Sequence, residues 1–158
     1  MEQLWAPWRG KFIESFKGEG CIFCELPPVG DDEKTLILYR GINAFVIMNA
    51  YPYAAGHLMV VPFRHVAQLS DLTDTERHEV IDLVTRCESA LTAAMKPEGF
   101  NVGFNLGRAA GAGVDKHLHC HIVPRWIGDT NFMPVTGETR VINESLDVTY
   151  NKLKEYML

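Results

Sequence analysis

The sequence predicts an α+β fold: an antiparallel sheet of about five strands, one long helix and a C-terminal helix. Three observations carry this expectation. Short β-favouring runs are separated by turn residues. A Thr-x-x-Glu signature opens a long helical pattern, and the stretch His117-Leu118-His119-Cys120-His121-Ile122-Val123-Pro124-Arg125-Trp126 alternates histidine with apolar residues at strand spacing.

Taken in order, residues 1–20 read as an N-terminal arm. Trp5 and Trp8 stand too close together to be left in water, so the arm is expected to pack on the domain or on a neighbouring subunit. The core is expected over residues 21–135 and a C-terminal extension over 136–158, the whole forming one domain. Cys21-Ile22-Phe23-Cys24 is followed by Pro27, Pro28 and Gly30, which suits a metal knuckle better than the long helix of a redox motif. Residues 36–40 and 44–49 form a hairpin about Gly41 and Asn43, and a third strand at 57–61 ends at Pro62. Thr73 and Glu76 make a capping box. Val80, Leu83, Val84, Cys87, Leu91 and Met95 then recur at helical spacing until Pro97 and Gly99 stop the element. Cys87 is read as inert packing and His78 as solvated. Residues 100–107 resume strand character, and a small-residue loop from Gly107 through Gly111 to Gly113 leads into the histidine run as a wide hairpin. Leu146, Tyr150, Leu153 and Met157 mark the terminal helix.

Composition excludes several classes. With 158 residues and 47% hydrophobic content the chain can bury a substantial core, and a formal net charge of −5 argues against a general nucleic-acid binder. No apolar run approaches a membrane span, and the first residues lack the apolar centre of a signal peptide, so a cytoplasmic protein is expected. Four cysteines, two of them standing alone, are poor evidence for a disulfide scaffold and better evidence for a metal pair; ordinary free thiols are the alternative.

In a strand, His117, His119 and His121 line one face while Leu118, Cys120 and Ile122 line the core. Same-face neighbours lie roughly 6.6 Å apart, so the outer two cannot easily share one metal ion, and a row of separately employed rings follows. Imidazole is a competent nucleophile near neutral pH when one nitrogen is bare and the other hydrogen-bonded. The middle ring is the natural attacker on phosphorus, a neighbour can hold a phosphoryl oxygen, and backbone amides of the glycine loop can face the phosphate. A solvated sheet face, and a catalytic zinc held by two of the histidines, are the competing readings.

The pattern His-φ-His-φ-His-φ-φ, filled by His117 to Val123, resembles the signature of the histidine triad (HIT) superfamily of nucleotide hydrolases and transferases. The resemblance runs from Cys21 to about Phe132. It includes Asn49, the Gly56-to-Pro62 stretch, Arg64-His65 and Asn105-x-Gly107. The Leu4-Trp5-x-Pro7 start and the residues behind Trp126 look most like the bacterial diadenosine tetraphosphate phosphorylase branch. The resemblance implies a dinucleoside polyphosphate substrate cleaved at the α-phosphorus through a nucleotidyl-histidine on His119, with phosphate or water as acceptor. It further implies His121 on the phosphate, His57 supporting the triad, Asn49 on the ribose, Asn105 and the loop through Gly107, Gly111 and Gly113 around the phosphates, and Trp126 flanking the substrate. A structural zinc on Cys21, Cys24, His65 and His117, no organic cofactor, and a homodimer with joined sheets complete the picture. Two features set limits. Related enzymes often carry a hydroxyl residue near Gly113, and the sugar-phosphate uridylyltransferases have glutamine at the third triad position, where this chain has His121. A nucleoside phosphoramidate hydrolase of the same fold and a non-catalytic nucleotide-sensing protein are the alternative functions.

Overall fold

In the computed structural model, residues 20–157 are described; the expected arm, apart from Gly20, lies outside them. The described residues open with a single helical turn, α1 (Ile22–Glu25), and a second one, α2 (Asp32–Thr35), whose start is capped by the Asp31 carboxylate accepting from the Lys34 amide. Then come β1 (Ile37–Arg40), β2 (Ala44–Met48), β3 (Leu58–Pro62), the long α3 (Asp74–Met95) and β4 (Gly99–Phe104). After them follow β5 (Cys120–Arg125), the short α4 (Met133–Gly137) and α5 (Leu146–Lys154). The strands form one sheet in the order β1-β2-β3-β5-β4, every neighbouring pair antiparallel. The expected α+β class, strand number and both long-range helices are therefore present.

Strand register sorts the two faces. Ile37, Ile47, Met59, His121 and Gly103 are partners across all five strands and so share one face. Val46, Val60, Cys120 and Phe104 form the adjacent row, pointing the other way, toward α3. All residues of β2 and β3 are buried, which their nearly unbroken apolar sequences, AFVIM and LMVVP, require. Helix α3 is anchored at its start by the capping box: Thr73 Oγ1 accepts from the Glu76 amide and the Glu76 carboxylate accepts from the Thr73 amide. Its stripe of Val80, Leu83, Cys87 and Leu91 is buried, and His78 is exposed. Burial drives the Cys87 thiol far up, in keeping with an inert packing group. Gly56, at φ 81°, lies where a Cβ would meet Met95 Sδ at 2.7 Å and Leu91 at 3.0 Å, so both its backbone and its contact with α3 demand glycine. Helix α5 closes the far edge, with the Tyr150 hydroxyl donating to the Ile37 carbonyl at 2.9 Å and Lys154 donating to that of Leu38.

The histidine run departs from the expectation in one respect. The regular ladder begins at Cys120, so His117 and His119 precede the strand. The reason is a tertiary contact: the Leu118 amide donates to the Val66 carbonyl at 2.6 Å and its side chain enters a small cluster with Val66 and Leu72, beyond the end of β3. Alternation survives, because Leu118, Cys120 and Ile122 are all buried in apolar surroundings. Likewise β4 stops at Phe104 rather than Gly107.

Candidate active site and metal centre

Cys21 caps α1, which turns the chain so that Cys24 returns beside it, its amide donating to the Cys21 carbonyl at 3.0 Å. The segment after β3 supplies His65 and the approach to β5 supplies His117. The ligand atoms of Cys21, Cys24, His65 and His117 all lie within 4.8 Å of one another. His117 Nδ1 is 3.2 Å from Cys21 Sγ and 3.5 Å from Cys24 Sγ, and His65 Nδ1 is 3.3 Å from Cys24 Sγ. A tetrahedral ion with bonds of about 2.0–2.3 Å needs ligand edges of about 3.3–3.8 Å, so this quartet is close to a closed shell. His117 is already oriented for it. Its Nε2–H donates to the Pro62 carbonyl at 2.8 Å, which leaves Nδ1 bare toward the thiols. Burial, reinforced by the neighbouring Cys21, raises the Cys24 thiol to about 11, a protonated state that a divalent cation would reverse. The four residues can hold a metal ion.

A second set of hydrogen bonds fixes the other rings. The Tyr53 amide donates to His57 Nδ1 at 3.1 Å, so the ring proton of neutral His57 sits on Nε2. That proton is given to His121 Nδ1 at 2.9 Å, which leaves the His121 proton on Nε2. His121 Nε2 is buried and meets no hydrogen-bond partner among the described residues, an N–H donor at the cavity wall. His119 is fixed the opposite way: its Nδ1–H donates to the His117 carbonyl at 2.8 Å, leaving Nε2 with a free lone pair. The His119 and His121 ring centres lie 4.8 Å apart. One bare nitrogen and one bare proton therefore stand side by side.

Burial, reinforced by His121 and His119, lowers His57 to about 3, and burial together with His119 lowers His121 to about 4. Burial lowers His119 as well. Unfolded histidine titrates near ~6.5, so protons are taken up by the unfolded chain first as the pH drops. The stability contributed by keeping His57 and His121 neutral is complete above that value and lost as pH falls toward 4 and then 3. The urea midpoint of the protein is therefore expected to fall steadily from about pH 7 to about pH 4.5; a level midpoint would contradict it.

A cavity of about 280 Å³ opens against these rings. Ile22, Phe23, Leu26 and Ile47 make an apolar wall, while Asn49, Asn105, Gly111, Gly113, His119 and His121 bring polar groups or open backbone. Phe23 bridges the two sites, its ring centre 5.5 Å from that of His117 and 5.0 Å from that of His119. Sequence reasoning passed over Phe23 and Ile22; the signal was their position between the two cysteines, where the knuckle must present them inward. Asn49 Oδ1 accepts from the Tyr51 amide at 2.8 Å, which sets its orientation at the cavity. No atom lies within 4 Å of a Cβ built at Gly113, so the missing hydroxyl residue reflects no lack of room.

Two expected site residues do not line this cavity. Gly107 does not line this cavity. It begins a tight turn, at φ 81°, where its carbonyl accepts from the Ala110 amide. Trp126 is also absent from the wall, because its indole N–H donates to the Lys96 carbonyl at 3.2 Å and its ring borders a separate cavity of about 520 Å³. Within one chain, then, Trp126 does not flank the His119 site.

A buried histidine row on an antiparallel sheet, with its rings fixed in complementary tautomers, defines a class. The chain matches the HIT domain family over residues 31–126 and belongs to it. Among its relatives, a protein of Mycobacterium tuberculosis named AP-4-A phosphorylase is 39% identical over 155 residues, covering 92% of this chain and 79% of that protein. An adenosine 5'-monophosphoramidase of Schizosaccharomyces pombe is 33% identical over 105 residues, 66% of this chain and 74% of its own. The crystal structure of a zinc-bound histidine triad family protein from Mycobacterium smegmatis shares the fold at a TM-score of 0.70 and 22% identity, covering 87% of this chain and 93% of that one. The chain is accordingly an enzyme of the nucleotide hydrolase and transferase type.

Proposed function

We propose that the protein cleaves dinucleoside polyphosphates such as diadenosine tetraphosphate at the α-phosphorus, by way of a nucleotidyl group carried on His119. The observation that carries this reading is the bare Nε2 of His119 beside the unpartnered Nε2–H of His121. The His119 lone pair forms a bond to the α-phosphorus as the bond to the bridging oxygen breaks, and the remaining nucleoside polyphosphate leaves with that electron pair. His121 donates to a non-bridging oxygen as its charge grows, and His57 keeps the donating proton on the right nitrogen. Phosphate or water then attacks the same phosphorus and returns His119 to its starting state. Asn105 and the loop through Gly111 and Gly113 border the phosphates, and the Ile22, Phe23 and Leu26 wall suits a base.

The cysteine and histidine quartet is proposed to hold a structural zinc. The ion would supply no chemistry to the reaction; it would fix the Cys21–Cys24 knuckle and the His117 ring. A thiol pair of this kind suits a reducing, cytoplasmic setting. Strand β4 ends the sheet with Asn101, Val102 and Gly103 exposed, an edge suited to pairing with its copy in a homodimer. Light scattering of the protein is expected to give twice the mass of one chain, and a monomer mass would refute the pairing.

Product analysis tests the reaction. Diadenosine tetraphosphate is expected to give ATP and AMP in water, and ATP and ADP when phosphate takes the nucleotidyl group. The absence of any nucleotide product would remove the proposal. The 33% identity to a monophosphoramidase supports a second reading, hydrolysis of nucleoside phosphoramidates, which the same assay resolves when adenosine 5'-phosphoramidate is offered in parallel.

A further inference from the structure

We infer that the His119 cavity is one end of a longer groove, whose far part takes the second nucleoside of the substrate and whose middle carries Arg140 as a phosphate-binding cation. This rests on the dinucleoside polyphosphate reading above and assigns the half of the substrate which that reading leaves unplaced.

The groove is built from three cavities that share walls. The His119 cavity shares Tyr53, Asn105 and His121 with a neighbour of about 360 Å³. That neighbour shares Tyr53, Arg125 and Arg140 with the cavity of about 520 Å³ beside Trp126. Tyr53 borders all three, so the path runs past its ring from the apolar wall to the indole.

Chemistry changes along that path in the order a dinucleoside polyphosphate requires. The near end is apolar. The middle holds hydrogen-bond donors and cations: the His121 Nε2–H, Asn105 and Arg140. The far end offers the Trp126 ring with the Asn131 and Asn143 amides, a setting for a second base.

Charge distinguishes Arg140 from its neighbours. Arg125 is held by Asp129 through bonds of 2.6 and 2.9 Å, so its charge is satisfied. Glu144 at the far end is likewise engaged, by Lys152 at 2.5 Å and by the Thr149 hydroxyl at 2.7 Å. Among the described residues Arg140 donates only to the Tyr53 carbonyl, at 3.2 Å, and forms no ion pair. An exposed guanidinium with four remaining N–H donors, midway along a groove whose carboxylates are already paired, is suited to a chain of phosphates.

The test reads binding, not turnover, and uses the whole protein. AMP and a diadenosine tetraphosphate analogue with methylene groups in place of the bridging oxygens are titrated by calorimetry. The analogue is expected to bind at least about tenfold tighter than AMP, and Arg140→Gln to shrink that advantage about tenfold, with Arg140→Lys restoring part of it. Equal affinities in the wild type, no binding of either compound, or an unchanged ratio in Arg140→Gln would overturn the groove. Inorganic phosphate is titrated alongside: if Arg140→Gln weakens phosphate binding alone and leaves the ratio intact, Arg140 serves the free acceptor and the second nucleoside subsite is overturned. The analogue cannot be cleaved, so failure of the natural compound to turn over would count against the proposed reaction and leave this measurement standing.

Discussion

Replacing His119 by alanine is expected to lower turnover of diadenosine tetraphosphate by about 10³–10⁴-fold. The loss is large because no other group at the cavity can take over. His121 is the adjacent ring, but its Nδ1 is occupied by the His57 proton and its Nε2 carries a proton of its own, so it offers no lone pair to phosphorus. Exchanging those roles would require the proton between His57 and His121 to move and the Tyr53 amide to lose its acceptor. His121→Gln should be milder than His121→Ala, since an amide N–H can still face the phosphate oxygen. Steady-state rates with product identification, run beside thermal melting to show that each variant remains folded, check both statements. Undiminished turnover in His119→Ala would remove the proposed nucleophile.

The second large effect concerns the metal quartet. Replacing both Cys21 and Cys24 by serine, or stripping the ion with a chelator, is expected to cost about 3 kcal/mol of stability or more and to depress turnover at the same time. The coupling runs through His117. Its ring faces the thiols while its backbone carbonyl receives the His119 Nδ1–H, so whatever loosens the ring also loosens the group that keeps Nε2 of His119 bare. Phe23 adds a second route, because the knuckle that carries the cysteines also lays this ring against His119. Metal analysis of the purified protein, with melting and rate measurements before and after chelation, reads all three quantities. Full stability and rate in a metal-free sample would show that the four residues are ordinary free thiols and imidazoles.

Much of the fold is legible in the sequence alone. The two apolar runs that became β2 and β3, the Thr73 and Glu76 box and the stripe of α3 are local patterns, each decided within a few residues. The alternation of the histidines likewise separated the reactive side from Cys120 without tertiary information. What the chain did not disclose are the features set by residues far apart in sequence. That the ladder starts only at Cys120 depends on a carbonyl at Val66, and the tautomer of His121 depends on a backbone amide at Tyr53, neither of which leaves any mark near the triad. Trp126 is a further case: the resemblance implies that it flanks the substrate, and it is the carbonyl of Lys96, at the end of α3, that holds its indole beside a cavity other than that of His119. Arg64 shows the same limit. It lies beside a metal-ligand candidate, and its guanidinium clamps the Glu76 carboxylate that caps α3, fastening the His65 segment to the helix.

The distance between the ends of the quartet, measured along the chain, has a bearing on how the protein folds. Cys21 and His117 are 96 residues apart, and β1, β2, β3, β4 and α3 all lie between them. An ion bound there would act as a reversible staple around nearly the whole sheet, stabilising the fold because it binds the assembled quartet in preference to the unfolded chain. Closing the full quartet needs both ends in place, and the His117 ring is aimed by its hydrogen bond to the Pro62 carbonyl at the end of β3. An ion held by the full quartet would therefore lock a sheet that has already closed.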